Sequence, residues 1–153
     1  MIKRLVEKLN EKHLTIATAE SCTGGMIGAC ITSVAGASNV YNEGYITYSN
    51  EAKEKNLGVS HTTLETYGAV SEQTAREMAD GARRKSNADI AVAVTGIAGP
   101  GGGTIDKPVG LVYIGIATKD SVEAHKFIFS GGRDDVRKST VENAIRLALE
   151  KLA

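Results

Sequence analysis

The segment "ADIAVAVTG", residues 88–96, constrains this chain more than any other. It is a nearly continuous apolar run, the signature of a strand covered on both faces; a strand with one wet face would alternate. Such a strand needs helices on each side of its sheet. The rest of the chain supplies them. Ile2, Leu5, Val6 and Leu9 recur with helical period, which predicts an amphipathic helix ending near His13. "LTIATA" reads as a short buried strand, followed by a tight turn and a helix with Met26, Ile27, Cys30 and Ile31 on one face. "YNEGYITYS" has strand composition, and "NEAKEKNLG" reads as a short helix stopped by Gly58. Ser71 is placed to cap a longer helix through Met78 and Ala82 to about Ser86. "GLVYIGIAT" and "EAHKFIFS" form two strands joined by the turn "KDS", hence antiparallel. Asp134 and Asp135 open a last helix to Leu152, where their charges suit its positive end. The expected fold is α/β, a three-layer α/β/α sandwich with a mixed, mostly parallel central sheet, with residues 1–153 as a single domain.

Charge excludes one class of partner. Lysine plus arginine and aspartate plus glutamate number 18 each, so no global field attracts nucleic acid or an anionic membrane. The opening "MIKRLVEKLNEKH" has neither the apolar run nor the cleavage site of a leader or membrane span. Cys22 and Cys30, eight apart, would lie too far along one helix to form a disulfide, and read as reduced thiols of a cytoplasmic protein.

Several chemistries can be set aside. "GIAGPGGGT" has the glycine density of a phosphate loop, but no Gly-Lys-Ser/Thr follows it. His13, His61 and His125 are scattered, which argues against a metal site and against a serine–histidine triad. The segment "TAESCTGGM" is different. Ser21 follows an apolar strand and precedes a helix, the place where α/β sheets bind ligands. Thr23, Gly24 and Gly25 would offer backbone N–H groups to a phosphate or an oxyanion. The plainer alternative is that Ser21 or Thr23 only caps the helix.

A serine nucleophile needs a base, and "YSNEAK" provides Tyr48 and Lys53. In a helix from Glu51, residues Glu51, Glu54 and Lys55 fall outward, with Glu51 and Lys55 as a surface pair. Lys53 then lies inward with Ala52, Asn56 and Leu57. Desolvation would lower its pKa toward that of a useful base, unless the amine snorkels to water. The five-residue spacing of Tyr48 and Lys53 differs from the tyrosine–lysine pair of short-chain dehydrogenases.

"AESCTGG", "TYSNEAK", "AVSEQ", "TGIAGPGGG", "DKPVG" and "FSGGRDDVR" occur together in an order and spacing that resemble the CinA C-terminal domain family, the nicotinamide mononucleotide amidohydrolases, from about residue 3 to 152. The resemblance implies that Ser21 is the nucleophile, supported by Tyr48 and Lys53, in a metal- and cofactor-independent hydrolysis of nicotinamide mononucleotide to nicotinate mononucleotide and ammonia. It also implies a homo-oligomer working in pyridine nucleotide recycling. For this chemistry the N–H groups from Cys22 to Gly25 would hold the oxyanion. Thr95, the amides of Gly96, Ile97, Ala98 and Gly99, and the pair Arg133 and Arg137 would hold the phosphate. Cys22 is the rival nucleophile, more reactive intrinsically, and otherwise a small apolar filler. One departure stands out: Gly132 replaces the aspartate many relatives carry before this arginine, which threatens substrate positioning. The larger N-terminal domain of longer relatives is not expected, so the chain reads as a stand-alone form. Two other readings are a pyridine-nucleotide-binding module without turnover, and an interaction domain linked to DNA uptake or damage.

Overall fold

The computed structural model describes residues 1–153. In chain order the elements are α1 (Ile2–Lys12), β1 (Ile16–Glu20), α2 (Met26–Thr32), a 3-10 turn (Ala37–Asn39), β2 (Tyr41–Ile46), α3 (Asn50–Leu57), α4 (His61–Tyr67), α5 (Glu72–Ser86), β3 (Ile90–Gly96), β4 (Leu111–Thr118), β5 (Val122–Ile128) and α6 (Arg133–Lys151). The sheet order is β2-β1-β3-β4-β5. β1 is parallel to β2 and β3, while β3–β4 and β4–β5 are antiparallel, so β4 alone runs against the other strands.

The strand alternation sorts two unequal cores. Ile16, Ile90, Val92 and Val94 face α1, α2 and α6, where they meet Leu5, Leu9, Ile27, Ile31, Val136 and Ile145. On the other face Ala17, Ala19, Ala91 and Ala93 meet Leu57, Leu64, Met78, Ala79 and Ala82 of α3, α4 and α5. Small residues on that second face let α5 sit close to the sheet. At Gly115 of β4, an added Cβ would lie 2.3 Å from the Ala75 carbonyl oxygen of α5.

The helix signals behave as their chemistry requires. Ser49 Oγ accepts from Ala52 N–H at the start of α3, and Ser71 Oγ accepts from Thr74 N–H at the start of α5. Gly58 ends α3 in the left-handed conformation, at φ 69°. Three expectations need correction. Cys22 lies in the turn before α2, so it and Cys30 do not share a helix; both are free. The Glu51–Lys55 pair does not form; the glutamate of α3 that finds a partner is Glu54, which meets His61 of α4 at 3.2 Å. Helix α4 and the 3-10 turn, too short to show a period, were not foreseen.

From the carboxyl end of β1 the chain enters α2 on one face. It returns from β2 through α3, α4 and α5 on the other face, to β3 on the opposite flank of β1. The crossovers therefore diverge at the end of β1, opening a crevice there. Ser21 is the first residue beyond that strand. Gly115→Ala should lower the unfolding free energy by about 1–3 kcal/mol through overpacking, read as a reduced denaturation midpoint with an unchanged slope.

Candidate active site

At the divergence point two adjacent residues part company. Cys22 turns its thiol into the core beneath α6, where burial pushes it up to about 11, so the reactive thiolate is scarce near neutrality. Ser21 points to the other face. Its Oγ lies 3.0 Å from Lys53 Nζ of α3. Lys53 is 1 % exposed, and its other neighbours are the carbonyl oxygens of Thr47 at 2.9 Å and Tyr48 at 3.2 Å. All three partners are neutral, so no opposite charge in contact offsets the lost hydration of an ammonium; desolvation draws Lys53 down to about 8. In its neutral form the amine gives its two hydrogens to the carbonyls and turns its lone pair to the serine hydroxyl. That is the geometry of a general base.

The turn after Ser21 is built by a residue the sequence reading passed over. Glu20, 2 % exposed, accepts from Thr23 Oγ1 at 2.6 Å, Ile27 N–H at 2.8 Å and Gly28 N–H at 3.0 Å. Its carboxylate thus caps α2 from the end of β1, at the positive pole. Neither Ser21 nor Thr23 caps the helix. A glutamate inside an apolar strand, just ahead of a helix start, was the available signal. The Gly24 N–H, expected to be free, is spent on the Ser21 carbonyl at 3.1 Å. The N–H groups of Cys22, Thr23 and Gly25 make no hydrogen bond within the chain. Gly24 and Gly25 adopt positive φ, 58° and 111°, which lets the turn fold over without a Cβ.

The other expected residues divide. Tyr48 is 63 % exposed and its phenol accepts from Arg133 Nη2 at 3.3 Å; it reaches Lys53 only through its backbone carbonyl. Arg133 also donates to the Gly99 carbonyl at 2.8 Å, tying the glycine-rich loop to Tyr48. Arg137 donates to the carbonyls of Cys22 at 3.1 Å and Thr23 at 3.3 Å, clamping the turn after Ser21 to α6. Each guanidinium spends two of its five N–H donors in this way and keeps the rest. Thr95 gives its hydroxyl to the Ala69 carbonyl, and the Ile97 N–H extends the sheet to the Leu111 carbonyl. Gly96 leaves no room for a side chain, since a Cβ would lie 2.6 Å from Val112 Cγ2. Ala98 and Gly99 keep unpaired N–H groups. Gly132 serves as the N-cap of α6, and Asp135 reaches back to its N–H at 2.9 Å, so Arg133 holds its place without an aspartate there.

None of the four surface cavities is lined by Ser21 or Lys53. The nearest, about 220 Å³, lies between α2 and β2 behind the turn that follows Ser21 and is lined in part by Glu20 and Gly25. No group of three or more His, Cys, Asp or Glu side chains is arranged to hold a metal ion, and no helix is long and apolar enough to cross a membrane.

The family model described as the CinA C-terminal domain matches residues 1–152. The chain belongs to the CinA C-terminal domain family. It is 59% identical over 141 residues to a competence-damage inducible protein of Alkaliphilus metalliredigens, covering 92% of this chain and 34% of that protein. A CinA-like protein of Endomicrobium trichonymphae is 54% identical over 144 residues, covering 94% of this chain and 34% of the relative. The chain thus spans about a third of the length of the curated relatives it matches. Among solved structures, the competence/damage inducible protein CihA of Agrobacterium tumefaciens is 46% identical with a TM-score of 0.95, covering 99% of this chain and 92% of that one. A CinA superfamily protein of Klebsiella pneumoniae is 35% identical, with TM-score 0.95 and coverage of 99% and 94%.

Two outcomes follow from the geometry. Glu20→Gln puts an amide NH₂ among three donors and should cost about 1–3 kcal/mol of stability, measured by denaturant unfolding. If Lys53 acts as the base, kcat/KM must rise with pH through about 8 and level off above it, because its neutral form is the active one.

Proposed function

We propose that this chain is a serine–lysine amidohydrolase whose substrate is nicotinamide mononucleotide, converted to nicotinate mononucleotide and ammonia. The observation that carries the reading is the 3.0 Å contact between Ser21 Oγ and a buried Lys53 whose only other polar partners are two carbonyls. The choice of substrate rests on the family resemblance together with the cationic groups around the turn.

In this reading Lys53 Nζ takes the Ser21 proton as Oγ attacks the carboxamide carbon. The N–H groups of Cys22, Thr23 and Gly25 stabilise the oxyanion, a contribution of about 2.7–4 kcal/mol per donor in comparable sites. Lys53 then gives its proton to the departing ammonia, leaving a nicotinoyl ester on Ser21. Water, deprotonated by Lys53, attacks that ester, and the lysine returns the proton to Oγ as the acid leaves. A pKa near 8 leaves about a tenth of the lysine neutral at pH 7, enough for a base that must also act as an acid. The Tyr48 phenol, held by Arg133, flanks the substrate and does not relay the proton. The phosphate is met by the remaining donors of Arg133 and Arg137 and by the N–H groups of Ala98 and Gly99.

A coupled ammonia assay with nicotinamide mononucleotide tests the reading. The unaltered protein releases ammonia, Ser21→Ala loses at least about a thousandfold in kcat, and Cys22→Ala stays near the parent rate. Undiminished turnover by the Ser21 variant, or none by the parent, overturns the assignment.

A further inference from the structure

Three buried side-chain polar atoms have no hydrogen-bond partner: Tyr45 Oη, Thr47 Oγ1 and Arg83 Nε. An unpaired buried hydroxyl loses its hydration without a replacement partner, so its retention calls for a reason. Only Thr47 of the three adjoins the Ser21–Lys53 pair.

The strand register places it. Glu20 of β1 pairs with Ile46 of β2 on one side and Val94 of β3 on the other. One residue further on, the ladder continues through Thr47 N–H to the Glu20 carbonyl at 2.9 Å and Ser21 N–H to the Val94 carbonyl at 3.1 Å. Thr47, Ser21 and Thr95 therefore form a row of hydroxyl residues across the carboxyl ends of three adjacent strands. Alternation sends them to the same face as Ala19, Tyr45 and Ala93, the face covered by α3 and α5. Neighbouring strands stand about 4.8 Å apart, so Thr47 and Ser21 are side by side. Lys53 Nζ spans the gap, bonded to the Thr47 carbonyl and to Ser21 Oγ. Thr95 has committed its hydroxyl to Ala69, and Ser21 is taken by Lys53. Thr47, 0 % exposed, is the uncommitted member.

We propose that the Thr47 hydroxyl holds the water that hydrolyses the Ser21 ester, an inference that rests on the amide-hydrolysis reading above. In the acyl-enzyme Oγ is esterified and no longer offers a proton to Lys53, so the lone pair of Nζ is free for a water. Both N–H bonds of the amine remain fixed on carbonyls, which leaves the lysine one contact to that water. Thr47 Oγ1 supplies the second by accepting the other hydrogen, which orients the oxygen toward the ester carbon. The water oxygen bonds to that carbon as its proton passes to Nζ; the carbon–Oγ bond then breaks, Oγ takes the proton from Nζ, and the carboxylic acid departs. The departing ammonia of the first step receives its proton from Lys53 and needs no second anchor. Loss of the hydroxyl therefore falls on the second step.

Thr47→Val keeps the shape and the backbone carbonyl and removes only the hydroxyl. With nicotinamide mononucleotide it should release one equivalent of ammonia per active site in a fast burst, then turn over about a hundredfold more slowly than the parent. Intact-mass measurement should find the nicotinoyl adduct, and hydroxylamine, a nucleophile that needs less positioning, should discharge it. Thr47→Ser, which retains the hydroxyl, should keep the parent rate within about threefold and show no burst. Parent-like turnover by Thr47→Val, or an equal loss in Thr47→Ser, overturns the role of the hydroxyl. A parent protein that releases no ammonia overturns the amide-hydrolysis reading itself, a distinct failure.

Discussion

A primary amine enclosed by neutral acceptors is the constraint from which the site takes its form. Lys53 has no carboxylate to share its charge, only Ser21 Oγ and two carbonyls. Burying a charged ammonium there is costly, and the chain meets that cost by shifting the proton equilibrium toward the free amine. The carbonyls of Thr47 and Tyr48 come from the chain between β2 and α3, so the same short segment that carries the lysine also fixes the direction of its lone pair. The serine is brought to it by β1. Neither element makes the site alone, and the position of α3 against α5 sets the distance between them.

The two faces of the sheet divide the labour. Large aliphatic residues fill the side under α1, α2 and α6, whereas alanines line the side under α5. The second face gives up some apolar area but lets α5 approach closely, and α3 packs upon it where Gly81 admits the carbonyl of Leu57. Glu20 plays a matching part on the first face, satisfying the first N–H groups of α2 so that the turn between strand and helix has one conformation.

Much of this was legible in the sequence because it was periodic or local. The unbroken apolar run of β3, the caps at Ser71 and Gly58, and the inward side of α3 with Lys53 and Leu57 depend on neighbours within a turn or a strand. What was not legible depends on contacts distant in sequence. Thr95 answers to the Ala69 carbonyl, and Arg137 to the carbonyls of Cys22 and Thr23. Glu20 is the local exception: its partners Thr23, Ile27 and Gly28 are near in sequence, but only the packed α2 brings them to its oxygens. The Tyr48 phenol was expected near the lysine, but five residues of turn and helix start carry the ring outward to Arg133, while the backbone carbonyl stays behind.

The clamps from α6 also set an order of assembly. Synthesis runs from the amino end, so the turn bearing Ser21 emerges well before Arg133 and Arg137 exist. Until α6 leaves the ribosome and docks, the carbonyls of Cys22, Thr23 and Gly99 lack their guanidinium partners. A chain in which α6 has not docked can therefore hold Ser21 beside Lys53 and still leave the turn after Ser21 unfastened, which ties the order of that turn to the arrival of α6.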